Sequence, residues 1–472
     1  MKANLPLVLA LLLASFIIRP SSIAAAAAAS ATPTKRPNIL HIHADDHRAD
    51  GLGALGHPVV QTPNLDTLVA RGFTFTHCYT MGSMVGAVCL PSRTMMLTGK
   101  SWLRIPKRAE GAGEAENSLP KVMSRAGYET WHCGKPGNEY TVGLKAFDTN
   151  LSMADNSPDL RRGSSERHAD ATIKFLRERP AEKPFYIYLA PPVPHDPRVA
   201  APEFHGRYDA AKIPLPPAFL PLHPFDNGEM LVRDEKLAPW PRTPADTRQQ
   251  LADYYACITG LDHHVGRIFA ALKAGGQWEN TIIIFTGDNG LSVGEHGLFG
   301  KQNLYEFGGM HVPFVLAGPG IPKGTSDAFV YLMDLFPTFA EFGGAKLPAG
   351  IEGKSLASII AGRETKVRDL CYTGYRDCQR AVRDQRWKLI RYPLVDVTQL
   401  FDLQTDPREL TNLAAQPAHG AKVVELTALL EKEMAAHGDT QPLKVANPKP
   451  AAWTPPTPGP NAENRARKRA RQ

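Results

Sequence analysis

Cys89-Leu90-Pro91-Ser92-Arg93-Thr94-Met95-Met96-Leu97-Thr98-Gly99 reads as a short helix with a chemical group at its entrance. Pro91 suits the first helical position, where a missing N–H costs nothing. Ser92 to Thr98 contain no breaker, and Gly99 suits the end. The spacing predicts that Cys89 sits just before the helix N-terminus. Unpaired N–H groups and the positive end of the dipole then face whatever binds there, which favours a sulfate or phosphate ester. A buried structural Cys before an ordinary helix would look the same, since a free Cys packs as a small hydrophobe. The rest of the chain decides between the two.

Upstream, Asn38-Ile39-Leu40-His41-Ile42-His43-Ala44 is a short apolar run of the kind that forms a buried strand, and it ends in Asp45-Asp46-His47-Arg48. Ligands of open α/β sheets collect beyond the carboxyl ends of strands, and two adjacent acids are costly there unless a cation holds them. The same arrangement recurs downstream. Tyr128 to Gly134 leads to Lys135, and Phe185 to Ala190 leads to the Pro-rich loop with His195. Thr281 to Thr286 leads to Gly287-Asp288-Asn289-Gly290. Between these strands lie helices from Thr62-Pro63 to Gly72, from Leu119 to Ala126, and from Thr243-Pro244 to Ala274. Alternating strands and helices predict an α/β layered domain with its reactive residues at one sheet edge. Asp196 to Trp240 has little periodicity and many prolines, the mark of a functional loop.

After about Gly362 the texture changes. Ala381-Val382-Arg383, Trp387 to Tyr392 and Gln399 to Leu403 alternate as strands, and a helix from about Gly420 to His437 follows. The expected organisation is a catalytic domain over 35–362, a small C-terminal α+β subdomain over 363–446, and a disordered Pro-rich and basic tail over 447–472. Residues 1–31 have the layout of a secretory signal peptide, with Lys2, an apolar run from Leu5 to Ile18 and an Ala-rich stretch. The run is interrupted by Arg19-Pro20, short of a membrane span, and no later stretch is apolar enough to span. The formal +7 includes two charges from Lys2 and Arg19 and a net four from Arg465, Arg467, Lys468, Arg469 and Arg471 against Glu463, so the body carries about +1 and no nucleic-acid partner is implied. Six Cys form no dense disulfide framework; Cys371 and Cys378 are the pair expected to lie closest.

The Cys89-x-Pro91-Ser92-Arg93 stretch with Leu97-Thr98-Gly99 resembles the signature of the formylglycine-dependent sulfatases, of the alkaline-phosphatase-like superfamily. Six further motifs stand in that family's order between about Pro37 and Ala414: Asp45-Asp46, Lys135, His195, Asp288-Asn289, Lys301 after Gly294-Glu295-His296-Gly297, and the closing segment Leu400 to Leu413. The resemblance implies a large mixed central sheet and a smaller C-terminal α+β domain with a short antiparallel sheet. It implies that Cys89 is oxidised by a formylglycine-generating enzyme, and that Asp45, Asp46, the converted Cys89, Asp288 and Asn289 hold one metal ion. Oxygen donors without His suit a hard cation, Ca²⁺ more readily than Zn²⁺. Arg93, Lys135 and Lys301 would offset anionic charge, and His195 would contact sulfate and assist the leaving oxygen. His296 is a further substrate contact by the same resemblance. The mechanism that the resemblance implies is attack on sulfur by one hydroxyl of the aldehyde hydrate with departure of the alcohol, then deprotonation of the other hydroxyl, which would re-form the aldehyde and release sulfate.

Two positions depart from the family pattern. Where relatives have Lys-Trp-His, this chain has Lys135-Pro136-Gly137-Asn138, which leaves the deprotonation to another group, with His47 and His132 as candidates. In Gly308-Gly309-Met310-His311-Val312-Pro313 no Arg precedes Val-Pro. The expected function is hydrolysis of a sulfate ester, on a carbohydrate, in the periplasm or outside the cell. The rival expectations are a phosphonate or phosphodiester hydrolase of the same superfamily, and an inactive binding protein for sulfated glycans. Asp288-Asn289, rather than Asp-His, argues against a zinc phosphatase.

Overall fold

The apolar run at the start of the chain becomes β1 (Asn38–Ala44), whose seven residues are all buried. A strand without an exposed face must be covered on both sides, and β1 lies in the middle of an eight-stranded sheet. The computed structural model describes Met1 and residues 36–105, 113–153 and 164–456. The expected signal peptide lies outside these residues, Met1 apart. The other strands of this sheet are β2 (Phe73–Tyr79), β4 (Glu129–Gly134), β5 (Thr149–Ser152), β6 (Phe185–Ala190), β7 (Thr281–Gly287), β8 (His311–Ala317) and β9 (Gly324–Tyr331), in the order β5-β4-β6-β1-β7-β8-β2-β9. From β5 to β7 the pairs are parallel, with Leu40 opposite Ile187 on one side and Ile283 on the other. β8 runs antiparallel to both β7 and β2, which makes the sheet mixed.

Side chains alternate between two layers, as a pleat requires. Ile39, Tyr186, Tyr188, Ile282 and Ile284 pack with the helices Cys89–Thr98, Leu119–Arg125 and Leu335–Gly343. Leu40, Ile42, Ile187, Ile283 and Phe285 pack with Pro63–Arg71, Ser164–Glu178 and the long helix Pro244–Ala274. The long helix starts as its sequence predicts: the Thr243 hydroxyl accepts from Asp246 N–H at 3.1 Å and Pro244 occupies the first turn.

A second sheet joins β3 (Gly82–Ser83) to β10 (Cys371–Tyr375), β11 (Gln379–Arg383), β12 (Trp387–Tyr392) and β13 (Val397–Asp402). β10 to β13 are antiparallel, as expected. β3 pairs with β10 in parallel and comes from the first half of the chain, so the second sheet takes one strand from before residue 362. The approach is close: a Cβ on Gly82 would lie 2.2 Å from the Gly374 carbonyl oxygen. Two expectations are corrected here. Residues 447–456 do not begin a loose tail, because Lys449 N–H donates to Leu394 O (2.8 Å), Asp226 N–H donates to Ala451 O (2.9 Å) and Trp453 meets Trp240 edge-on. Residues 457–472 lie outside the described residues. Cys371 opens β10 while Cys378 follows its far end, and all six cysteines are unpaired thiols.

Candidate active site

The parallel strands deliver the reactive groups to one edge. β1 ends at Ala44 and releases Asp45 and Asp46; β4 releases Lys135, β6 leads to His195, and β7 releases Asp288 and Asn289. The helix of the opening motif enters from the side. It begins at Cys89 itself, two residues earlier than Pro91 suggests, and ends on Gly99 at φ 65°. Cys89 is fully buried, and Arg93 one turn later lies behind it.

Cys89 Sγ lies 3.3 Å from Asp45 Oδ1 and 3.6 Å from Asp46 Oδ1. Lys301 Nζ reaches both Cys89 Sγ (3.0 Å) and Asp46 Oδ1 (2.6 Å), while Lys135 Nζ pairs with Asp45 Oδ2. The Asp46 backbone, at φ 63°, donates to Asp288 Oδ1 at 2.9 Å. Arg93 Nε holds Asp288 Oδ2 at 2.8 Å, and its Nη1 pairs with Glu139. Asn289 Nδ2 donates to Asp46 Oδ1 at 2.7 Å. His195 Nε2 lies 3.8 Å from Asp46 Oδ2, and its Nδ1 donates to the Asp196 carbonyl at 2.6 Å.

Charges at this density shift one another's protonation. Burial opposes ionisation of Asp45, but Lys135, His195, Arg93 and Lys301 hold its carboxyl well below the usual carboxylate range. Asp46 is lowered against burial by Lys301 and His195. Asp288 is raised, by burial first and by Asp45 next. Burial, with Asp288, pushes the Cys89 thiol well up, so an unmodified Cys89 would be a neutral thiol and a poor nucleophile. The lysines stay charged: burial works against Lys301, and Asp46 with Cys89 more than offsets it.

The arrangement fits a cation. Among the described residues Asp45, Asp46, Cys89 and His195 each offer one ligand atom within 4.8 Å of the others. Asn289 Oδ1 is buried without a partner, a position an oxygen ligand holds at little cost only when something cationic or polar satisfies it. Three carboxylates and an amide oxygen form a hard donor set.

The structure thus brings together Cys89, Arg93, Lys135, His195, Lys301, Asp45, Asp46, Asp288 and Asn289. It does not bring His296 to them. That ring, with its backbone at φ 54°, stacks on Tyr305 at 3.8 Å, and burial, with His223 and Lys388 nearby, lowers its pKa to about 3. Neither substitute for the absent histidine reaches Cys89. His132 Nδ1 bonds Asn150 Oδ1 at 2.7 Å beside Tyr188, and His47 Nδ1 donates to Arg48 O at 3.0 Å. Asn138 is exposed. His311, where an Arg was missed, stacks on Tyr79 at 4.7 Å and faces Glu306. Glu139 escaped the sequence reading altogether. It follows the exposed turn Pro136–Asn138, a setting that signals solvent, yet its side chain is buried against Arg93.

Comparison with known proteins supplies the family. The sulfatase family profile matches residues 37–345, and the profile for the C-terminal part of N-sulphoglucosamine sulphohydrolase matches residues 294–436. An N-acetylglucosamine-6-O-sulfatase of Bacteroides thetaiotaomicron is 27% identical over 89% of this chain and 90% of its own length. An arylsulfatase of Clostridium perfringens is 27% identical over 84% and 94%. In fold, the chain is similar to a protein solved with its substrate D-glucosamine-2-N,6-O-disulfate (TM-score 0.70, 24% identity, 87% of this chain and 99% of that one). It is equally similar to a phosphonate monoester hydrolase of Agrobacterium radiobacter (TM-score 0.73, 23% identity, 85% and 96%). With the profile spanning well over half of the sequence and every strand that carries a reactive side chain, the chain belongs to the sulfatase family and is a sulfuric ester hydrolase.

Proposed function

We propose that this enzyme removes sulfate from a sulfated carbohydrate, using a formylglycine made from Cys89 and one bound Ca²⁺. The observation that carries the reading is Cys89 itself: at a helix start, between two carboxylates and Lys301, with its thiol held neutral. Formylglycine at Cys89 would supply the nucleophilic hydroxyl that the neutral thiol does not. Asp45, Asp46, Asp288 and Asn289 would hold the Ca²⁺, whose contribution when bound would be Lewis-acid polarisation of a sulfate oxygen.

The remaining roles follow from the chain's own groups. Lys135 and Lys301 offset the charge of substrate and transition state from two sides. Arg93 keeps Asp288 in place through Nε. His195, with Nδ1 committed to the Asp196 carbonyl, presents Nε2 to the sulfate and to the leaving oxygen. A carbohydrate substrate is supported by the similarity to an N-acetylglucosamine-6-O-sulfatase and to a protein solved with D-glucosamine-2-N,6-O-disulfate. Export to the periplasm or beyond, through residues 1–31, belongs to the same reading, as does encounter with a formylglycine-generating enzyme.

The test is the accurate mass of the tryptic peptide carrying Cys89, from protein made with its maturation enzyme, together with hydrazide labelling and sulfate release from sulfated sugars. An aldehyde and released sulfate are expected. An intact thiol in active protein would end the formylglycine reading; faster turnover of a phenylphosphonate than of any sulfate would end the sulfate one. N-terminal sequencing of the mature protein checks the export signal.

A further inference from the structure

Arg233 belongs to the weakly periodic segment between His195 and the long helix, and it joins the two walls of the site. Its Nη2 pairs with Asp196 Oδ2, next to His195 in sequence, and its Nη1 donates to Asp234 Oδ1 at 2.9 Å. Asp234 Oδ2 in turn accepts from Gln302 Nε2 at 2.7 Å, and Gln302 Oε1 accepts from Lys301 N–H at 3.0 Å. The turn is pinned from below. The buried Glu235 carboxylate accepts from Phe299 N–H (2.9 Å) and Gly300 N–H (2.7 Å) and pairs with Arg242. Its pair with Asp196 sets Arg233 beside His195, and against the cost of burial Asp196 and Asp234 keep the guanidinium charged.

Arg233 is nonetheless 57% exposed, whereas Asp196 behind it is 15% and Asp46 1%. A fixed guanidinium facing solvent beside the histidine that serves the leaving oxygen faces the alcohol half of the substrate. Flanked by two carboxylates, it is not a cationic patch and gives no reason for a second anion. A donor and an acceptor held side by side match adjacent hydroxyls, each of which donates and accepts one bond.

We propose that Arg233 and Asp196 form the leaving-group subsite, binding two adjacent hydroxyls of the sugar that carries the scissile sulfate. This rests on the carbohydrate reading above. The experiment compares wild type, R233M and R267M on 4-nitrophenyl sulfate, on the best-turned-over of the 2-, 3-, 4- and 6-monosulfates of glucose, galactose and N-acetylglucosamine, and on deoxy forms of that sugar. Arg267 pairs with Asp170 on the far helices and serves as the control for loss of an exposed ion pair. Both substrates are assayed on one preparation, so the folded fraction cancels from their ratio. R233M is expected to lower the sugar-to-aryl ratio of kcat/KM by at least about tenfold, the scale of a charge-assisted hydrogen bond, and R267M to leave it where it was. The deoxy sugar that costs wild type about tenfold is expected to cost R233M nothing further. An equal loss on both substrates, or an equal deoxy penalty in both enzymes, overturns the subsite and leaves Arg233 a brace. Turnover of 4-nitrophenyl sulfate but of no sugar sulfate overturns the carbohydrate reading and the subsite with it, and no turnover of any sulfate overturns the sulfatase assignment instead.

Discussion

Lys301 Nζ lies 3.0 Å from Cys89 Sγ, and the same ammonium holds Asp46 at 2.6 Å. One cation therefore contacts both Cys89 and a carboxylate of the candidate cation site. Its loop permits no slack: a Cβ on Gly309 would lie 1.7 Å from the Lys301 carbonyl oxygen.

Replacing Lys301 by Met keeps the bulk and removes the charge. We expect kcat to fall by about 10²–10³, the scale of a lost transition-state donor. Steady-state kinetics alongside a melting curve check this; retention of a tenth of wild-type kcat would show that Lys135 alone carries the charge.

Calcium should stabilise the fold. Protein treated with chelator and then given Ca²⁺ at about a hundred times its Kd is expected to gain about 2.7 kcal/mol, read as a rise in Tm. In D288N, which weakens both the cation site and the Arg93 pair, the calcium-dependent part of the rise should vanish. Scanning fluorimetry with Ca²⁺, Mg²⁺ and Zn²⁺ distinguishes the ions, and a rise with Zn²⁺ alone would refute the hard-cation assignment.

Glu139 makes stability depend on pH. Burial, only partly offset by Arg93 and Lys135, raises its carboxyl from the ordinary 4.5 to about 7. Between these values the folded chain binds more protons than the unfolded one, so stability falls as pH rises through the window. The loss reaches up to about 3 kcal/mol above pH 7. Urea midpoints at pH 5 and pH 8 should differ less in E139Q than in wild type; identical differences would show that Glu139 does not carry the slope.

Lys388, 3% exposed, ties Glu306 (2.9 Å) to Glu409 (2.8 Å), and Glu409 also accepts from Glu306 N–H. Removing one partner leaves buried charge unpaired, at about 3–5 kcal/mol. K388M is accordingly expected to lose that much in a denaturant melt, and a loss below about 1 kcal/mol would mean that the network relaxes or fills with water.

Much of the site can be read along the chain. Asp45, Lys135, His195 and Asp288 each follow a run of apolar residues, and a strand buried on both faces cannot be anything else in sequence. The helix after Cys89 announces itself through Pro91 and Gly99, although only the folded chain shows that it starts at Cys89. Local pattern reports what a residue's neighbours do to its backbone. It does not report which distant segment closes over a side chain. Glu139 is buried because Arg93 lies opposite it, Gly82 is a strand residue because Gly374 comes alongside, and Arg233 stands at the site because Glu235 is anchored to Phe299 and Gly300. His296 and His132, equally plausible by type, end against Tyr305 and Asn150. The chain alone determined the strand ends and the groups they carry, through periodicity. The tertiary structure decided which of those groups meet, because that depends on contacts between residues far apart in sequence.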